Sequence, residues 1–132
     1  MAFRVYDTKK KQWLEKNIYM NLDGELFKIK QSLFGMVKIP MALGSERYVF
    51  HRDIGITDMY GNEVYEGDYI KAIVGNISED GEDKIEIGVV AYAPELSSYI
   101  ILCENSNTFY TLGSNISTEI VVIGNVFDGY KE

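Results

Sequence analysis

The sequence has very little cysteine and histidine, two residue types that are common in catalytic and metal sites. It contains one cysteine, Cys103, and one histidine, His51, among 132 residues. A single cysteine cannot form an intrachain disulfide, and one Cys with one His excludes the usual four-ligand structural zinc site. Because apolar residues 101–102 precede Cys103, we expect a buried structural thiol rather than a nucleophile paired with His51. The composition therefore fits a reducing compartment and predicts no metal or other cofactor.

Long hydrophobic runs are also missing. No apolar stretch approaches the roughly 18 residues that a membrane-spanning helix requires. Residues 1–11, MAFRVYDTKKK, place their lysines after a short strand-like segment, whereas a signal peptide has its basic residues first. We therefore expect a cytoplasmic protein without a membrane partner.

Basic residues are scarce in the second half of the chain. The net charge is −7, but residues 1–60 hold ten Lys and Arg against seven Asp and Glu, whereas residues 61–132 hold three against thirteen. So acidic a chain is not expected to bind duplex nucleic acid directly. The uneven charge can steer association with a basic partner or with another copy of the chain, or it can simply provide two solvated faces.

Alternating apolar residues separated by short turns predict a mainly β protein. In residues 1–54, alternation on both sides of the polar segment 7–11 and of Asp23-Gly24-Glu25 predicts two β-hairpins. From Tyr65 onward, the sequence predicts about five strands with closely spaced turns, and the Gly67-Asp68 turn leads into the first of them. This pattern is typical of a small SH3-like barrel. We expect the N-terminal β-hairpins of residues 1–54 to pack on an SH3-like small β-barrel of residues 55–132, as one compact unit.

Two strands of the second half are predicted in more detail. Ile85 and Val89 share one face of a long strand with residues 87 and 91, while Glu86 lies on the other face. Residues 99–103 form an uninterrupted apolar run, which predicts a strand buried on both sides.

Four carboxylates are close together in the segment around residue 60. Such groups flank the scissile bond in glycosidases, but those that precede turns can instead accept backbone amides, which we expect of Asp58 before Gly61 and of Asp68 at a strand entry. The four residues are Asp58, Glu63, Glu66 and Asp68.

Residues 76–83, NISEDGED, imitate the start of a calcium-binding EF-hand loop. The twelfth position of that loop would have to be a bidentate glutamate, and it is Ile87. We therefore predict an exposed acidic hairpin loop without a metal. Its partner-binding candidates are Glu79, Asp80, Glu82 and Asp83.

Tyrosine is abundant, with ten residues in the chain. Tyrosine combines a large contact area with a polar tip and is enriched at protein interfaces, although core packing explains it equally well. The candidates for an aromatic binding surface are Tyr60, Tyr65, Tyr69, Tyr92 and Tyr99.

Several segments, in this order along the chain, resemble the YopX family of phage and prophage proteins. The family has a central Gly-Leu-x-Asp-x-x-Gly-x-Glu-Ile-Tyr-Glu-Gly-Asp motif, which residues 55–70, GITDMYGNEVYEGDYI, resemble. The other matching segments are Phe3-Arg4-Val5-Tyr6-Asp7 with Gln12-Trp13, Ile87-Gly88-Val89-Val90, and Val122-Ile123-Gly124-Asn125-Val126-Phe127.

The resemblance implies a β-rich fold with an SH3-like barrel, an origin in a phage or prophage, and self-association. A phage protein would work in the cytoplasm of its bacterial host. The resemblance carries over no catalytic residue, and residues 16–52 have no clear counterpart in the family.

These observations favour a non-enzymatic phage accessory protein that binds another protein. In one version it inhibits a host defence or nucleic-acid enzyme, with the acidic half imitating phosphate charge. Two alternatives are a homo-oligomeric structural or regulatory module and an uncharacterised hydrolase that uses the four carboxylates.

Overall fold

The computed structural model of the chain is built almost entirely from antiparallel strands. It describes residues 3–14, 18–31, 38–74, 84–112 and 116–131. Within these ranges the only helix is the single 3₁₀ turn Pro94–Leu96, and no helix there is long and apolar enough to cross a membrane. The chain divides into two compact units, Met1–His51 and Arg52–Glu132. The prediction of a mainly β fold is confirmed.

The first unit contains both predicted hairpins. β1 pairs with β2 and lies beside β6, while β4 pairs with β3 on one side and with β5 on the other, all antiparallel. Residues 32–37 lie outside the described residues. The strands are β1 (Phe3–Asp7), β2 (Gln12–Leu14), β3 (Ile18–Met20), β4 (Leu26–Gln31), β5 (Lys38–Leu43) and the beginning of β6 (Tyr48–Thr57).

A partly buried ion pair between Asp7 and Arg47 stabilises the turn of the first hairpin. Asp7 is 2% exposed, and its two carboxylate oxygens accept hydrogen bonds from Nε and Nη2 of Arg47, each at 2.8 Å. The same carboxylate accepts the backbone amides of Lys9 and Lys10. The bidentate bond from Arg47 outweighs the effect of burial and holds the pKa of Asp7 far below its ordinary value of 3.8.

The second unit is dominated by a six-stranded antiparallel sheet with the order β11-β10-β9-β8-β12-β13. β8 to β11 form a meander, and β12 returns to pair with β8, which fits the predicted SH3-like barrel. β7 pairs separately with the second part of β6. The strands are β7 (Glu63–Tyr65), β8 (Asp68–Val74), β9 (Lys84–Ala93), β10 (Ser98–Cys103), β11 (Thr108–Thr111), β12 (Ile116–Asn125) and β13 (Gly129–Tyr130).

The core of the second unit lies on one face of this sheet. Cys103 is fully buried there as a free thiol, so the prediction of a structural cysteine is confirmed. Burial of these side chains supplies most of the driving force for folding this unit. The buried cluster consists of Val64, Ile70, Ala72, Val90, Ile101, Cys103 and Ile120.

The opposite face of the sheet is much more apolar than the sequence pattern predicted. β10 is not buried on both sides, because Leu102 is 41% exposed while its neighbour Ile101 is 1% exposed. In β9 the apolar set containing Ile85 and Val89 does share one face, but that face points away from the core, and Ile85 is 59% exposed. Glu86 and its alternate neighbours occupy the core side instead.

Candidate functional site

The carboxylate of Asp58 organises the first turn of the central motif. It is buried and accepts the backbone amides of Tyr60 at 3.0 Å, Asn62 at 2.8 Å and Val122 at 3.1 Å. Burial alone would raise the pKa of Asp58, but these hydrogen bonds outweigh it and the pKa lies below its ordinary value. The prediction that Asp58 accepts turn amides is confirmed, and the bond to Val122 in β12 also fixes the turn to the sheet.

Asp68 and Glu66 have the same kind of role in the second turn. Asp68 is 1% exposed and accepts the amide of Tyr65 at 2.8 Å, while Glu66 accepts the amide of Arg52 at 3.0 Å. Gly67 donates its amide to the carbonyl of Val90 and accepts the amide of Val126, at 2.8 and 2.9 Å. The turn is therefore bonded to strands on both sides, and Asp68 marks the strand entry as predicted.

The predicted tyrosines do not lie together in one surface. Tyr60 is 71% exposed in the first turn, and the hydroxyl of Tyr65 donates to Glu63 at 2.8 Å. Tyr92 and Tyr99 face each other across β9 and β10, with ring centroids 5.1 Å apart, on the core side of the sheet. Burial and the nearby Glu66 carboxylate raise the pKa of Tyr99, which packs against the buried cluster.

Tyr69 lies on the other face of the sheet, beside a tyrosine that the sequence did not single out. Its ring centroid is 4.6 Å from that of Tyr130 in β13. Gly124 of β12 lies between the two tyrosines, because it pairs with Tyr69 of β8 on one side and with Tyr130 of β13 on the other. Because Gly124 has no side chain, the Tyr130 backbone approaches closely and the two rings meet above it.

The Tyr69–Tyr130 pair ends a line of apolar side chains that crosses the sheet. Strand register places Phe109 opposite Leu102, Leu102 opposite Val89, and Val89 opposite Tyr69. Phe109 is 52% exposed and Tyr130 is 42% exposed. With about 4.8 Å between strands, the six strands from β11 to β13 span roughly 24 Å. We call these five residues, Phe109, Leu102, Val89, Tyr69 and Tyr130, the apolar row.

A groove with a cavity volume of about 140 Å³ lies beside the apolar row. Ile87, Val89 and Leu102 provide apolar walls, and the two tyrosines provide aromatic ones. Glu104 and Asn105, from the turn after β10, add the polar groups. Among the described residues no cation pairs with the Glu104 carboxylate. We call this feature the Glu104 groove.

A larger cavity, of about 590 Å³, lies in the first unit. Leu26, Leu43 and Phe50 are among its walls, and Asp23 and Glu25 lie at the β3–β4 turn. The two acidic residues belong to a turn organised by Asn21, whose side chain accepts both of their amides and donates to Glu25. Their position is therefore explained by the turn itself.

The remaining predicted site residues lie outside the described residues. These are the acidic-loop residues Glu79, Asp80, Glu82 and Asp83. Within the described part of the chain, no three His, Cys, Asp or Glu side chains are placed to hold a metal ion.

Sequence reasoning missed most of the residues that form the apolar row and the Glu104 groove. The sequence does contain a turn signal just before Tyr130, namely Asn125. Its Oδ1 accepts the amides of Phe127 and Asp128 in a tight turn before Gly129. No sequence signal marks Leu102 and Val89 as exposed, because alternation shows which residues share a face of a strand but not which face is covered.

The comparisons with known proteins give the family and the fold. The sequence model of the family described as YopX protein matches residues 2–129. The crystal structure of protein YopX from Bacillus subtilis is similar over 96% of this chain and 92% of that one, with 15% identity and a TM-score of 0.59. Protein EF1440 from Enterococcus faecalis matches over 95% and 92%, with 20% identity and a TM-score of 0.49. None of the curated proteins matches.

Proposed function

Since the chain belongs to the YopX protein family, we propose that it is a non-enzymatic accessory protein that binds another protein through the apolar row. The exposed apolar row is the observation that carries this proposal. Large contiguous apolar patches on a protein surface commonly mark interaction sites. Half-exposed aromatic and aliphatic side chains of this kind form the centres of protein interfaces.

The charge of the second half indicates the chemistry of the partner. Residues 61–132 carry thirteen acidic and three basic residues, and Glu104 lies beside the apolar row. A partner with a basic surface around an apolar centre would complement both features. A phage protein with this surface would inhibit a host defence or nucleic-acid enzyme by occupying the site where that enzyme holds phosphates.

The carboxylates of the central motif support a non-enzymatic role. Asp58, Glu66 and Asp68 each accept backbone amides, and Glu63 accepts the hydroxyl of Tyr65. Three of the four carboxylates thus bond turns, and Glu63 bonds a tyrosine of its own strand, which leaves the hydrolase alternative without an arrangement that favours it.

A capture experiment with matched variants tests the proposal. The tagged chain is incubated with a bacterial lysate, the captured protein is purified, and its affinity is measured by titration calorimetry. We expect Leu102→Asp to weaken binding at least about tenfold, because a charge would enter the apolar centre of the interface. Leu96→Asp is the control, since Leu96 is 47% exposed in the 3₁₀ turn outside the apolar row.

Two results would contradict the proposal or part of it. If Leu102→Asp and Leu96→Asp bind the purified partner equally well, the apolar row is not the binding surface. If binding is insensitive to salt and requires only the first unit, imitation of phosphate by the acidic half is excluded.

The second candidate function is a homo-oligomeric module. The observation that favours it is the charge asymmetry, since residues 1–60 have a balance of +3 and residues 61–132 a balance of −10. In that case the basic half of one copy would meet the acidic half of the next.

A further inference from the structure

The walls of the Glu104 groove combine three kinds of surface within the reach of one side chain. The floor is aliphatic, from Ile87, Val89 and Leu102, and one side is formed by Tyr69 and Tyr130. Glu104 and Asn105, the polar residues of the lining, form the other side. Its volume of about 140 Å³ is well below the roughly 300–1,000 Å³ of pockets for drug-sized ligands. The groove is therefore suited to a single side chain presented by a larger molecule.

A long basic side chain matches all three surfaces. The methylene stem of an arginine would lie on the aliphatic floor, as such stems do on apolar surfaces. Its guanidinium would stack against the half-exposed ring of Tyr130 and donate two hydrogen bonds to the Glu104 carboxylate. Lysine would make the charge contact without the planar stacking or the bidentate bond, so arginine fits better.

We propose that the Glu104 groove is the recognition site for an arginine side chain of the protein partner. This inference rests on the proposed function, because it specifies which chemical feature of the partner the apolar row selects. The apolar row would cover the apolar centre of the partner's surface. The groove would fix the position of the partner on the row by accepting one arginine side chain.

Two cations of this unit lie near the groove. The exposed Lys131 directly follows Tyr130. The second cation is Lys71, on the same face of the sheet as Ile87. It is opposite Ile87 in the β8–β9 register, two strands away from β10. Two strand spacings amount to about 10 Å, comparable to the screening length at moderate salt. Lys71 would therefore weaken the attraction for an arginine without occupying the groove.

The probe for the experiment is N-acetyl-arginine amide, which carries one guanidinium and no other charge. The ¹⁵N-labelled full chain is titrated, and amide shifts are followed at residues 87, 89, 102–105 and 130. We expect saturable shifts with a dissociation constant on the order of 1 mM, as befits a ligand of about 15 heavy atoms. N-acetyl-citrulline amide, the neutral isostere, is expected to cause no saturable shift.

Matched variants separate the groove from the general acidity of the chain. Glu104→Gln is expected to weaken the probe about tenfold, because the charge-assisted bonds are lost. Glu95→Gln makes the same charge change in the exposed 3₁₀ turn and is expected to bind like the wild type. Absence of saturable shifts at these residues, or equal binding by the two variants, would overturn the inference.

The outcomes also separate this inference from the proposed function. If Glu104→Gln binds the purified partner as the wild type does while Leu102→Asp does not, the protein-binding function stands and the arginine site is rejected. If Leu102→Asp binds the partner normally, the proposed function fails, whereas the titration still shows whether the groove accepts a guanidinium.

Discussion

Gly88 and Gly124 lie where neighbouring strands approach the backbone closely. A Cβ at Gly88 would collide with Cγ2 of Ile101 and lie 2.9 Å from Sγ of Cys103. A Cβ at Gly124 would collide with the carbonyl oxygen of Gly129 and lie 2.6 Å from Cα of Tyr130. Both glycines belong to segments that resemble the family, so the resemblance at these positions has a steric basis.

We predict that Gly124→Ala destabilises the protein by about 1–3 kcal/mol, the usual cost of overpacking. The atoms that the new methyl group would meet are backbone atoms, so β13 would have to shift and the Tyr69–Tyr130 contact would open. Urea unfolding would measure the loss. Gly44→Ala is the control, because nothing lies within 4 Å of a Cβ at Gly44. An equal loss in both variants would show that close approach is not the cause.

His51 gives the first unit a pH dependence that can be tested separately. Burial and the charge of Arg4 lower the pKa of His51 from 6.5 to about 4. The folded state therefore favours the neutral ring, and stability is lost as the pH falls from 6.5 towards 4, with no change above 6.5. Asp7, whose pKa is also lowered, contributes a loss only below its ordinary value of 3.8.

We predict that the urea midpoint of the first unit falls between pH 7 and pH 4, and that His51→Gln reduces this fall. Trp13 is the single tryptophan of the chain and lies 6.0 Å from the His51 ring, so its fluorescence reports on this unit. A midpoint in the wild type that is constant down to pH 4 would contradict the prediction.

At the scale of strands and sheets, the sequence predicted the positions of the strands better than which of their faces is buried. Both N-terminal hairpins and the meander after Gly67 lie where alternation and turns predicted them. What alternation could not show is which face of β9 and β10 is covered. Both faces carry apolar residues, and the choice depends on partners distant in sequence, such as Ile120 and Val64 in the buried cluster.

The two faces of β10 provide a direct test of this assignment. We predict that Ile101→Ala destabilises the protein by about 2–4 kcal/mol, because it leaves a cavity in the core. Leu102→Ala, one residue further along and 41% exposed, is expected to cost less than about 1 kcal/mol. Thermal or urea unfolding would measure both. If Leu102→Ala costs as much as Ile101→Ala, the outer face is covered within the folded chain and cannot bind a partner.

For the molecule as a whole, the net charge follows directly from the sequence, whereas the proposed binding surface does not. The −7 net charge and its asymmetry need no structure. The apolar row, in contrast, forms only when strand pairing brings β11 to β13 into one sheet. Its residues are far apart in the sequence, so no local motif records it.

The salt dependence of self-association separates the two ways in which copies could meet. Head-to-tail pairing of the basic and acidic halves would be strongest at low salt, because opposite charges attract. Pairing of two apolar rows would bring two acidic surfaces together, so repulsion opposes it at low salt and screening favours it at high salt. Self-association through the row would therefore increase with salt, whereas head-to-tail association would decrease.

We predict a monomer at about 20 mM salt and partial dimerisation at about 500 mM salt, measured by light scattering at micromolar concentration. Leu102→Asp should abolish the dimer, because it places a charge in the centre of the row, whereas Leu96→Asp should not. A dimer that forms at low salt and dissociates at high salt would instead support head-to-tail assembly, because only opposite charges that salt screens could hold it together.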